Sequence, residues 1–203
     1  PLILASRAAL LLVAGAAAFP PAAFAHGEAD WSHGLVDGGM LFFSALKFLL
    51  PVLMVALLSP RHGLRPITMQ AATLGIGVLI AFLSLPVSGD SAAVGLYARG
   101  YLIALGLLIL FNLRLHAGLV LVLVFATGTL TGLEARNAVS GHPAAGFAPA
   151  VGFASSAICF YLPLALIASL YPEGWQRIAM RVVASWIMAI ATIDMAFMIV
   201  RSG

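Results

Sequence analysis

Six apolar runs dictate what this chain can fold into: Val36–Leu58, Ile67–Val87, Ala92–Leu113, Leu115–Leu133, Phe147–Leu170 and Ile178–Val200. Each approaches or exceeds the roughly 20 apolar residues that a helix needs to cross hydrocarbon. The breaks between them carry turn or charge chemistry: "SPRHGLRP", "SGDS", "NLR", "EARNAVSGHP" and "YPEGWQR". Backbone inside lipid must satisfy its own hydrogen bonds, and runs this long are not barrel strands. The expected fold class is therefore all-α, a polytopic bundle of six transmembrane helices in a lipid bilayer. The third and fourth runs are the hardest to separate, because only Asn112, Arg114 and His116 stand between them. Composition agrees: 8% of the 203 residues are charged, against about 25% in a soluble domain.

A further apolar stretch precedes these six. Arg7, the run "AALLLVAGAAAF" and the small-residue site "AFA" before His26 have the order of a secretory signal. Cleavage after Ala25 would make His26 the new N-terminus. The alternative is a retained seventh helix over roughly Leu2–Ala18, ended by Pro20 and Pro21. On either view residues 1–25 form a signal-like or helical segment and residues 26–203 the membrane domain.

Basic residues in short loops set orientation. With alternating helices, Arg7, Arg61, Arg65, Arg114, Arg177 and Arg181 share one side, which is then cytoplasmic. Residues 26–35 face the other way, toward the periplasm if the membrane is a bacterial inner membrane. Nine of the ten basic residues are arginine in an Ala- and Gly-rich chain, which suits a GC-rich bacterial genome. Net charge is +3 with the basic residues scattered, so nucleic acid is not an expected partner.

The outward side gathers His26, Glu28, Asp30, His33, Asp37, Asp90, Glu134 and His142. Imidazole and carboxylate suit divalent nickel, cobalt, copper or zinc. Ordinary solvating loop acids explain the same asymmetry without a metal. Inside the spans, ionisable side chains cost about 2.5–3.5 kcal/mol on insertion scales, so each needs a partner or a purpose. Lys47 sits half-way along the first run and Asp194 in the outer half of the last, and the two are candidates to pair. Arg99 lies near an outer helix end, where its long stem can snorkel to the interface. Gly128 and Gly132 form a GxxxG pair, and Gly152 with "ASSA" another small-residue face; helix packing is the expected role of both. Ser155 and Ser156 lack a neighbouring His–acid set, Cys159 is single, and phosphate-loop and haem motifs are lacking. Neither catalysis nor a bound cofactor is expected.

The order of an "AHG" junction, six spans and an acid after a Gly-rich polar ladder resembles the HupE/UreJ family. These are hydrogenase and urease accessory membrane proteins regarded as nickel or cobalt permeases, and the similarity runs from His26 to the C-terminus. An early family motif, H-P-x-x-G-x-D-H, falls on "HGLVDGGM". His33 keeps the first position, Gly34 replaces the proline, Asp37 stands for a glycine, Gly39 for the aspartate and Met40 for the second histidine. A later motif, H-G-H-x-H-G-x-E, falls on "TGTLTGLE". Gly128, Gly132 and Glu134 are kept, while Thr127, Thr129 and Thr131 replace all three histidines; a further family histidine falls at Tyr161. The resemblance keeps His33 and Glu134 as metal-ligand positions, and the outward acids and histidines add His26 and Asp37 as candidates, if metal is bound at all. A neutral threonine hydroxyl is a poor substitute for imidazole, and it can bond back to its own helix. Two functions follow. One is a non-catalytic accessory subunit that has lost the nickel site and packs against other membrane subunits. The other is a divergent permease passing nickel or cobalt by Asp37, Glu134 and Asp194.

Overall fold

The computed structural model describes residues 31–58, 64–84, 91–113, 115–139, 146–170 and 175–202. The signal-like segment and His26, Glu28, Asp30, Asp90 and His142 lie outside the described residues. Every element among the described residues is helical: α1 (Trp31–Ser44), α2 (Leu46–Leu57), α3 (Leu64–Leu83), α4 (Ser91–Leu110), α5 (Ala117–Ala138), α6 (Phe147–Leu170) and α7 (Trp175–Ser202). Five of them, α3 to α7, are individually long and apolar enough to cross a membrane. Helices α1 and α2 make a sixth span if taken together, so the protein is a polytopic helical membrane bundle.

The first run is thus not one straight helix. It breaks at Ala45, where the backbone is extended at φ −138° and ψ 130°, and the two halves meet at 77°. Packing explains the break. Phe42 and Phe48 would point about 120° apart on a continuous helix, at 100° per residue. The bend lets both rings meet Phe153 of α6 edge-on, with centroids 5.3 and 5.2 Å away. All three rings are buried, and aromatic pairs in this geometry contribute about 0.5–1.5 kcal/mol each beyond area burial. Pro51, inside α2, has no N–H for the carbonyl four residues back, which weakens the same turn.

The boundary between the third and fourth runs falls at residues 111–116. Asn112 takes the left-handed conformation with φ 51°, which asparagine tolerates better than most residues. His116 caps α5, its Nδ1 accepting from the Gly118 N–H at 3.2 Å. At its far end α5 continues to Ala138, past the expected stop at Leu133, and so carries Glu134 inside the helix.

The interior has two parts. The larger is built around Phe42, Phe48, Leu74, Val78, Phe153 and Tyr161, from α1, α2, α3, α5 and α6. The smaller joins Met54 of α2 to Leu102, Leu105 and Ile109 of α4 and Ala184, Ile187 and Ala191 of α7. Helix α7 rests chiefly on α4 and touches α2 only slightly. Its opposite face is apolar and open, with Trp186, Ile190, Ile193 and Phe197 all at least half exposed.

Candidate functional site

Two glycine seams set the backbone spacing around the polar residues. At the first, Gly128 and Gly132 of α5 press on α3; a Cβ on Gly132 would lie 2.7 Å from the Val78 carbonyl oxygen, and one on Gly128 would strike that of Leu74. At the second, Gly38 of α1 sits on the Pro149 backbone of α6 while Gly152 sits on that of Leu35. "HGLVDGGM" therefore includes a close helix contact. Gly34 joins it, since its added Cβ would lie 2.8 Å from that of Ala148. Glycines four residues apart make such approaches possible in membrane helices.

The threonine ladder lies along the first seam. Thr127 donates to the Leu123 carbonyl at 2.9 Å, Thr129 to Phe125 at 2.9 Å and Thr131 to Thr127 at 2.7 Å. Each is a bond back to the carbonyl four residues earlier in the same helix. Tyr101 of α4 reaches the same place, donating to the Leu123 carbonyl at 2.5 Å with its hydroxyl 3.1 Å from that of Thr127. Tyr161 is fully buried and donates to Gln70 Oε1 at 2.5 Å.

Glu134, at the end of the ladder, belongs to a charge cluster centred on Arg99. Arg99 Nη1 donates to Glu134 Oε1, and Nε donates to Asp194 Oδ2 at 2.7 Å. Three helices are tied together by one guanidinium, whose planar fork of N–H donors suits two carboxylates. The pairings differ in environment: Arg99 and Glu134 are 12% and 7% exposed, Asp194 50%. Lys47 completes the set. It lies at the start of α2, directly after the break, with its ammonium 4.8 Å from the Phe48 ring centroid. Lys47, Arg99, Glu134 and Asp194 together line a pocket of about 120 Å³ between α2, α4, α5 and α7.

Two expectations are corrected here. Asp194 pairs with Arg99 and not with Lys47. Arg99 is not a snorkelling end residue but the hub of the cluster, because two carboxylates at its level neutralise it more fully than the interface would. Arg99 stands six residues inside its span, well placed to announce a buried partner, but nothing local in the sequence says which acids answer it.

The metal-ligand candidates do not converge. His33 is exposed and Asp37 half-buried on α1, which packs on α6 and α2, whereas Glu134 is held in the Arg99 cluster. Among the described residues, no group of three His, Cys, Asp or Glu side chains is placed to hold a metal ion. His26 lies outside them. Comparison with protein-family models, curated proteins and solved structures finds no match.

Proposed function

We propose that this chain is a non-catalytic, non-transporting subunit of a larger membrane assembly, built on a HupE/UreJ-like scaffold that has given up its nickel ligands. The observation that carries this reading is the occupied seam. The hydroxyls at Thr127, Thr129 and Thr131 are spent on their own helix, and the acid that follows them is spent on Arg99. The Arg99 pair ties α4 to α5 and engages the acid at the end of the stripe, which leaves little charge there for a passing ion. The open apolar face of α7 leaves room for a partner on that side, as it does for lipid. The assembly would sit in a bacterial inner membrane, with the N-terminal end of α1 toward the periplasm.

Divalent-cation permeation is the second reading. A broken helix beside intramembrane charges is a frequent setting for transport sites, and the break at Ala45 adjoins the pocket. Charge weighs against it: two cations, Lys47 and Arg99, share that pocket with two carboxylates, so it offers a divalent ion no net attraction. The two readings separate in proteoliposomes loaded against a nickel or cobalt gradient. The subunit reading expects uptake equal to protein-free vesicles and a thermal midpoint unmoved by either metal. It also expects a photoreactive residue at Trp186 to crosslink one membrane protein stoichiometrically in native membranes. Metal uptake abolished by Glu134→Gln would overturn it.

A further inference from the structure

The pocket holds two polar groups that the Arg99 network leaves available. Lys47 is exposed, and among the described residues its ammonium rests on the Phe48 ring with no carboxylate hydrogen-bonded to it. Asp194 is half exposed and gives only Oδ2 to Arg99, so Oδ1 remains an acceptor. Around these lie apolar walls that include Leu46, Leu50, Leu102 and Ile190.

Depth narrows what could bind. The N-terminal end of α4 and the C-terminal ends of α5 and α7 lie at one membrane face. Arg99 and Asp194 each sit six residues inside their spans, about 9 Å at helical rise, and Glu134 about 6 Å. An 18-residue span is about 27 Å long, close to the hydrocarbon thickness, so these groups lie a few ångströms to about 9 Å inside the hydrocarbon edge, where a headgroup that reaches them must be drawn inward from its own layer. A ligand there meets the Lys47 ammonium and the Oδ1 that Asp194 does not give to Arg99, both in the lining of a pocket with apolar walls.

We propose that this pocket binds the headgroup of a zwitterionic aminophospholipid, with its primary ammonium on Asp194 and its phosphate on Lys47. The acyl chains run along Leu46, Leu50 and Ile190. The charge balance favours this class. Lys47, Arg99, Glu134 and Asp194 sum to zero, so neither a net anion nor a net cation is attracted, whereas a zwitterion satisfies both available groups at once. The ammonium also decides between headgroups: it brings three N–H donors to a carboxylate, and a trimethylammonium brings none. A pocket of about 120 Å³ admits the small aminoethyl end while the chains stay outside. The proposal holds whether the chain is a subunit or a permease.

The test is native mass spectrometry of the purified full chain, delipidated and then exposed to equimolar phosphatidylethanolamine, phosphatidylcholine and phosphatidylglycerol. The expected result is one phosphatidylethanolamine retained in preference to the other two. Lys47→Met should lower its retention roughly five-fold, the scale of one half-exposed ion contact, and Lys47→Arg should keep it. Among the described residues no carboxylate stands at ion-pair distance from Lys47, so neither variant breaks a salt bridge. Asp194→Asn should erase the preference for phosphatidylethanolamine over phosphatidylcholine. Equal retention of the three lipids, retention unchanged in Lys47→Met, or a lipid-free dimer that fills the pocket with a second copy would each overturn the proposal.

Discussion

Replacing Arg99 with methionine removes one side chain and strands two carboxylates in different surroundings. Glu134 is 7% exposed, and among the described residues the cation at bonding distance to it is Arg99. Breaking a buried pair from one side costs about 3–5 kcal/mol, because the remaining charge keeps its desolvation penalty. Asp194 is 50% exposed, and losing an exposed pair costs about 0–1 kcal/mol. A chain of this size loses about 2–4 °C per kcal/mol, so Arg99→Met should lower the thermal midpoint by roughly 6–20 °C. Asp194→Asn should lower it by less than about 4 °C. The decisive variant is Arg99→Met combined with Glu134→Gln. It removes the stranded charge along with its partner, so it should be more stable than Arg99→Met alone, with a coupling energy above about 1 kcal/mol in the double-mutant cycle. The assay is heating in mild detergent followed by fluorescence-detected size exclusion. Equal losses for Arg99→Met and Asp194→Asn, or a double variant no more stable than the single, would refute the hub.

The same assay checks three further expectations. Gly132→Ala puts a Cβ 2.7 Å from the Val78 carbonyl oxygen and should destabilise by about 1–3 kcal/mol, whereas Gly100→Ala, with nothing within 4 Å of its Cβ, should be neutral or stabilising by up to about 1 kcal/mol; equal effects would argue against the α3–α5 seam. Thr131→Val removes a hydroxyl that, among the described residues, bonds to its own helix, and should change stability by less than about 1 kcal/mol, so a larger loss would mean that the hydroxyl serves something else. Phe153→Ala withdraws the ring on which Phe42 and Phe48 converge and should cost about 3–5 kcal/mol; a loss near 1 kcal/mol would remove the stated reason for the break at Ala45.

How much of this was legible in the sequence depended on the range of the interaction. The spans could be read because apolar length is a local property, and Gly128 with Gly132 because their four-residue spacing puts them on one helix face. The break at Ala45 was hidden. Alanine is the best helix former, and the cause lies in Phe153, on another helix far along the chain. The Arg99 cluster was hidden for the same reason, since its partners stand 35 and 95 residues away. "HGLVDGGM" carries a second kind of information. Comparing it letter by letter with a ligand motif drew attention to His33 and Asp37, while the contact with α6 is made by the glycines between and beside them.

The Arg99 cluster also imposes a sequence in time. Synthesis delivers Arg99 first, then Glu134, and Asp194 only with α7. Arg99 and Glu134 can therefore neutralise each other as soon as α4 and α5 are in the bilayer, before α7 exists. Helix α7 arrives bearing its own carboxylate and few apolar anchors beyond α4, and the second arm of the waiting guanidinium receives it. One arginine thus serves early as a chaperone for a buried acid and later as a latch for α7, the helix that is also the most accessible wall of the described bundle.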